Sequence, residues 1–143
     1  LFETYCGSIP FDLYTELILP FSQKILNSAK KLNCPTIFFP KDYSLGLKNI
    51  NNSICDFVSV DWHISLPEAR KLVDNGVGLQ GNMDPRIFYY EFDTIKKYLN
   101  SLNEFGSKNS NWIFNLGHGF LPDIDHLKVK KTVQWIKENN WNR

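Results

Sequence analysis

Gly117-His118-Gly119 is the sharpest chemical feature of this sequence. Two glycines let the backbone turn tightly around a histidine and present its ring at the end of an apolar run. An imidazole held in that way can donate a proton, donate a hydrogen bond or pair with an anionic ligand. The alternative is a residue that caps its loop. Further polar residues share this setting, each just after a short apolar run: Thr4, Lys41 with Asp42, Asp61 with Trp62 and His63, and Asn82 with Asp84. Asp61 follows its run directly, and a carboxylate there is costly unless paired or wet. It reads either as a site residue or as a structural hydrogen-bond acceptor. Asp84 precedes Pro85, so a helix N-cap followed by proline in the first turn accounts for it. Asn82 is freer to meet a ligand. Lys41 reads as a holder of carboxylates or as a solvated loop lysine. Trp62 reads as packing, His126 as a surface residue beside a helix start, and His63 has weak context.

These groups meet only if the runs before them are neighbouring parallel strands. The order of elements supports that. Strands are expected at Phe2 to Tyr5, Pro35 to Phe39, Cys55 to Asp61, Val77 to Gln80 and Trp112 to Leu116, four full and one partial. Between them, Tyr14, Leu17, Ile18, Phe21, Ile25 and Ala29 recur at helical spacing from Phe11 to Lys31, with Pro20 expected to kink or divide the helix. Leu45 to Ile50 suits a short helix. Ser65 caps a helix from Leu66 that Gly76 is expected to close. Phe92, Ile95, Leu99 and Leu102 mark another helix, expected to end at Gly106. Asp125 caps a last one, with Val129, Val133 and Ile136 expected on one face. Such alternation implies right-handed strand–helix–strand units and a parallel sheet, whose ligands bind at the strands' C-terminal ends. A (β/α)8 barrel takes about 250 residues, so the 143 residues here amount to roughly half of one. The expectation is a single domain over residues 1–143, the C-terminal half of a (β/α)8 TIM-type barrel with the N-terminal half absent. The chain opens inside what reads as a strand, which suggests a fragment.

Composition narrows the function classes. Hydrophobic residues are 43% and charged residues 22%, an ordinary globular balance. The formal net charge is +1, and no long basic run exists, so nucleic-acid binding is not expected. No apolar stretch reaches the roughly 18 residues of a membrane span. Cys6, Cys34 and Cys55 are odd in number and widely spaced, and read as reduced thiols of a cytosolic-type compartment. Asn51-Asn52-Ser53 matches a glycosylation acceptor by chance. Gly-x-Gly-x-x-Gly, P-loop, Gly-x-Ser-x-Gly and His-Glu-x-x-His motifs are missing, so no nucleotide, nucleophile-elbow or metal site is expected.

Several motifs together resemble the uroporphyrinogen decarboxylase family. Leu79-Gln80-Gly81-Asn82-Met83-Asp84-Pro85 resembles its LQGN(L/M)DP motif. Phe114 to Gly119, followed by Leu121-Pro122-Asp123, resembles FNLGHG-x-x-PD. Val60-Asp61-Trp62 resembles its strand-end Asp-Trp, and Leu66 to Arg70 the helix after it. Phe38 to Lys41 resembles an F-x-K segment before a glycine, where Asp42 stands here. Phe2-Glu3-Thr4 resembles F-(D/E)-S, and Tyr5-Cys6-Gly7 replaces an aromatic-Ala-Gly. His63 stands where a small polar residue is common. Order and spacing agree over essentially the whole chain.

The resemblance implies a homodimeric barrel in the cytoplasm or plastid, working without a metal or an organic cofactor. It implies conversion of uroporphyrinogen III to coproporphyrinogen III by loss of the four acetate carboxyl groups, in haem and chlorophyll biosynthesis. It makes His118 the histidine that meets substrate carboxylates, Phe2 a pocket phenylalanine and Thr4 the hydroxyl that touches substrate. Asn82 and Lys41 join them as substrate-binding candidates. The family's substrate-binding aspartate, its arginine pair and a pocket tyrosine belong to the N-terminal half, so the chain alone is expected to be inactive. Two other readings stand beside this one. A corrinoid-dependent methyltransferase of the same superfamily would need a zinc site with His-x-Cys, which the sequence lacks. A truncated half-barrel kept as a binding or structural subunit would expose two unpaired strand edges.

Overall fold

The computed structural model describes residues 1–139. The last four positions of the expected domain, 140–143, lie outside the described residues. Five parallel strands form one sheet in sequence order: β1 Phe2–Glu3, β2 Ile37–Pro40, β3 Phe57–Ser59, β4 Gly78–Met83 and β5 Trp112–Leu116. Each strand pairs with the next, so every connection steps the same way round, as along an arc of a barrel wall. Helices separate the strands. They are α1 Phe11–Leu13 and α2 Leu19–Lys30 (joined by a π turn at Tyr14–Ile18), α3 Leu66–Leu72, α4 Phe92–Ser101 with α5 Asn103–Lys108, and α6 His126–Glu138. None of these is long and apolar enough to cross a membrane.

Side chains alternate along the strands. Phe38, Val58, Leu79 and Trp112 are buried towards the helices with Tyr14, Leu19, Leu26, Leu66 and Ala69. A second cluster, Met83, Phe88, Ile95 and Leu99, lies under α4 and α6, and Phe114 packs against both clusters. The opposite strand face carries Phe2 opposite Phe39, Ser59 opposite Gln80, and Asn115 of β5.

Some boundaries depart from expectation, each for a physical reason. The first long helix is divided ahead of Pro20. Proline has no N–H to give and its ring crowds the carbonyl four residues back, so the preceding turn widens and Leu19 N–H reaches the Tyr14 carbonyl. Leu45 to Ile50 becomes a 3-10 helix, Ser44–Asn49. The α3 helix stops at Leu72, before Gly76, because the Arg70 guanidinium takes up the Val73, Asp74 and Val77 carbonyls at 2.8, 2.6 and 2.7 Å. Its start is as expected, with Ser65 and Glu68 forming a capping box. Gly106 lies inside α5 rather than ending α4. Asp125 caps α6 by accepting from Leu127 N–H at 2.8 Å. Val129 and Ile136 pack inward, whereas Val133 is 46% exposed and leaves the face expected to hold all three. Cys6 and Cys55 are buried and Cys34 is exposed, all as free thiols.

Candidate active site

All the polar residues singled out after strands lie at one end of the sheet, and the structure sorts them into two groups. The first group holds loops. Asp61 is 3% exposed, and its carboxylate accepts the Asp42 N–H at 2.6 Å and the His63 N–H at 2.9 Å. The His63 ring Nδ1 lies 2.7 Å from Asp42 Oδ1 and 3.3 Å from Asp61 Oδ1. Lys41 pairs with the other Asp42 oxygen, and this contact, with His63 beside the carboxylate, holds the Asp42 carboxyl below its ordinary range against the cost of burial. Asp42 takes φ 60°, a left-handed conformation that aspartate tolerates better than most residues. Asn82 is also buried. Its amide donates to the Asp61 carbonyl at 3.0 Å and the Ile64 carbonyl at 2.5 Å, fastening the turn after β3 to the end of β4. Asp84 caps the 3-10 turn Pro85–Tyr89 through the Arg86 N–H and binds the Arg86 side chain, which pulls its carboxyl below the ordinary range.

The second group faces a cleft of about 430 Å³ on the inner side of the sheet. Phe2 and Thr4 line it from β1 and the turn beyond, and Gly117-His118-Gly119 from the end of β5. Phe39, Ser59, Gln80, Asn115, Leu116 and Phe120 complete the wall, and the sequence reading did not single them out as site residues. A signal existed for three of them. Ser59, Gln80 and Asn115 are polar strand residues that follow Val58, Leu79 and Phe114 directly, and so face away from the helix-side core that these three join. Lys41 and Asn82 do not line this cleft.

The setting of His118 follows from one close approach. A Cβ on Gly117 would fall 2.9 Å from the Trp62 nitrogen and 3.0 Å from the Asp61 Cα, so only glycine lets the β5 loop lie against the turn after β3. Gly119 has open space around it. The exposed His118 ring stands edge-on to Phe39 at 6.3 Å and to Trp62 at 6.4 Å between centroids. Trp62 is backed by Arg86, whose guanidinium carbon lies 5.4 Å from its ring centre. The loop-holding group therefore sets the wall on which His118 rests.

The chemistry available is narrow. The cleft offers an imidazole, two hydroxyls, two amides and three phenylalanine rings, and none of its lining residues is Asp, Glu, Lys or Arg. It is suited to bind a large ligand with apolar rings and to offer hydrogen bonds to acidic substituents. Potential metal ligands do converge beside it: Asp42, Asp61 and His63 have ligand atoms within 4.8 Å of one another, a grouping not visible at their sequence spacing. Asp61 already accepts two N–H groups and Asp42 holds the Lys41 ammonium, so hydrogen bonding within the loops accounts for the cluster.

Comparison with known proteins bears on the same residues. Residues 1–139 match the family model described as Uroporphyrinogen decarboxylase. The chain is 38% identical over 141 residues to a uroporphyrinogen decarboxylase of Francisella philomiragia, covering 96% of this chain and 41% of that protein. It is 35% identical over 145 residues to one of Chlorobium phaeovibrioides, covering 98% of this chain and 41% of that one. The chain thus spans about two-fifths of the length of the curated relatives it matches. Among solved structures it is similar to a methyltransferase from Methanosarcina mazei, with a TM-score of 0.77 at 17% identity, covering 98% of this chain and 41% of that chain. That likeness speaks for the fold, an arc of a TIM-type barrel, and for nothing finer.

Proposed function

This chain belongs to the uroporphyrinogen decarboxylase family, and on that premise we propose that it supplies the His118-bearing wall of a uroporphyrinogen III decarboxylase. The complete polypeptide removes the carboxyl groups of the four acetate side chains and yields coproporphyrinogen III, a step of haem synthesis. The same reading makes it a cytoplasmic homodimer that works without a metal or an organic cofactor.

One observation carries the proposal. His118 projects at the mouth of the cleft, across from Phe2 and Thr4, and no described residue engages its ring nitrogens by a hydrogen bond. Its ring is positioned by aromatic edges and remains available to a carboxylate of the substrate. Thr4 contributes a hydroxyl, and the phenylalanines flank the pyrrole rings. Lys41 and Asn82 act from outside the cleft, through the rim loops that they hold.

The chemistry needs no electron sink beyond the substrate. Protonating a pyrrole ring makes it electron-poor. The bond from the acetate methylene to its carboxylate then breaks, its electron pair enters the ring, and carbon dioxide leaves. A proton added to the methylene and one lost from the ring restore the pyrrole with a methyl group. For each acetate, one carboxylate and one proton become a methyl group and one carbon dioxide. The cationic ring needs a carboxylate nearby. The cleft wall of this chain contains none, so that group belongs to the rest of the polypeptide.

The test is turnover of uroporphyrinogen III by a complete polypeptide carrying this segment, with products separated by carboxyl number after oxidation to porphyrins. A ladder from eight carboxyls to four supports the reading. Unchanged substrate with a folded protein overturns it.

A further inference from the structure

The rim loops tie the two walls of the cleft together, and His63 stands in the middle of the tie. Thr4 hangs from the turn after β1 and His118 from the loop after β5, with three strands between them. The first link is made at Asp42. The Gly7 N–H donates to the Lys41 carbonyl at 3.1 Å and the Lys41 N–H to the Glu3 carbonyl at 3.0 Å, and a Cβ on Gly7 would collide with the Asp42 side chain. The turn that carries Thr4 is thus seated on Asp42. The second link is His63. Its Nδ1 lies 2.7 Å from Asp42 Oδ1 and 3.3 Å from Asp61 Oδ1. An ionised carboxylate only accepts, so the ring carries a proton on Nδ1. The third link is Trp62. Its ring centre lies 5.3 Å from that of His63 and 6.4 Å from that of His118, and Gly117 leaves no room for a Cβ against its backbone nitrogen.

We infer that His63 is a positioning residue: through Asp42 on one side and Trp62 on the other, it fixes the Thr4 wall relative to the His118 wall, and so the grip of the cleft on substrate. This rests on the reading of the cleft as the substrate site. Asp61 holds the same two loops by their backbones, accepting the Asp42 and His63 N–H groups at 2.6 and 2.9 Å. The side-chain contact across the rim is left to His63. Its side chain is 54% exposed, and its Nε2 has no hydrogen-bond partner among the described residues, so it is not there as core filling. A half-exposed contact between a histidine and a carboxylate adds little to stability. A small displacement of a group that touches substrate costs far more in turnover. That difference in size sets positioning apart from a structural role.

The test uses a complete polypeptide carrying this segment, with its histidine rings labelled with nitrogen-15 for NMR. His63→Ala should lower kcat/KM about 10-fold or more, chiefly through KM. Its melting temperature should stay within about 4 °C of the parent, and the ring signals of His118 should move. Asparagine places an amide N–H near the position of Nδ1, and glutamine near that of Nε2. His63→Asn should therefore recover most of the loss and His63→Gln little. Asp42→Gly suits the left-handed φ of 60° and removes the carboxylate. It should cost about as much as His63→Ala, and the two together no more than about threefold beyond either alone. Unmoved His118 signals in His63→Ala overturn the inference. So does equal recovery by His63→Asn and His63→Gln, or a double variant whose losses multiply. If His63→Ala fails to fold, the comparison of His63→Asn with His63→Gln decides. A parent polypeptide that folds but does not turn over uroporphyrinogen III counts against the decarboxylase reading, and the His118 signals still judge the inference.

Discussion

The two ends of this sheet use similar residues for different purposes. At the N-terminal end, Arg70 closes three backbone carbonyls after α3. There, too, the Asp56 carboxylate accepts both the N–H and the hydroxyl of Thr36, at 2.7 and 2.8 Å. At the C-terminal end, Asp61 and Asn82 do the same kind of work on the loops after β2 and β3. The difference lies in what is left over. Both ends open a cleft: a smaller one of about 200 Å³ at the N-terminal end, bordered by Arg70, Asn75 and Lys108, and at the C-terminal end the larger one that keeps His118, Thr4, Ser59, Gln80 and Asn115. Stability is common to both ends, and the proposed recognition of substrate belongs to one.

That contrast can be broken in order of expected effect. His118→Ala, assayed in a complete polypeptide, should lower turnover about 100-fold or more with an unchanged melting temperature. A large fall in melting temperature would move His118 into the loop-holding group. Asp61→Ala should cost about 1–3 kcal/mol in urea unfolding, because the part-buried N–H groups of Asp42 and His63 lose their acceptor, and should lower turnover as well. Asp61→Asn, which still offers a carbonyl, should recover part of both. Arg70→Ala should cost about 1–3 kcal/mol and leave the KM for substrate unmoved, since it acts only at the other end. A changed KM would mean that the two ends are coupled.

Acid should act at both ends, because Asp56, held by Thr36 and Lys30 against the cost of burial, also sits below the ordinary carboxyl range. Asp42 beside Lys41, and Asp84 beside Arg86, are held below the ordinary carboxyl range in the folded chain. A depressed folded pKa stabilises fully above the unfolded value of about 4, and that stability is lost as pH falls through the lower folded values. Stability measured from pH 5 to pH 2 should therefore decline, and Lys41→Met should flatten part of the decline. Ser65→Ala, which removes the α3 cap and does not touch the cleft lining, should be the smallest change, about 1 kcal/mol with normal turnover.

The strands were legible because their composition is local: β5 falls on the apolar run read for it, and the α3 capping box on Ser65 and Glu68. Helix ends were less so. The α3 stop depends on Arg70 reaching carbonyls three to seven residues away, and glycine was the wrong signal for it. In the site, Phe2, Thr4 and His118 meet on the cleft, yet Lys41 and Asn82 stand away from it, although all five carry equally suitable side chains. The cleft's Ser59, Gln80 and Asn115 were hidden in strands read for their hydrophobicity.

The sequence by itself determined the alternation of strand and helix, the end of the sheet where polar residues gather, and the motifs that mark the family. Each of these depends on residues close together in the chain. The tertiary structure decided which polar residues are spent and which stay available. Asn82 finds its carbonyls 18 and 21 residues away, and Asp42 finds the Asp61 carboxylate 19 residues on. His118 stays free because Gly117 lies against the turn after β3. A buried polar group must find partners wherever the fold places them, and the fold alone sets those distances.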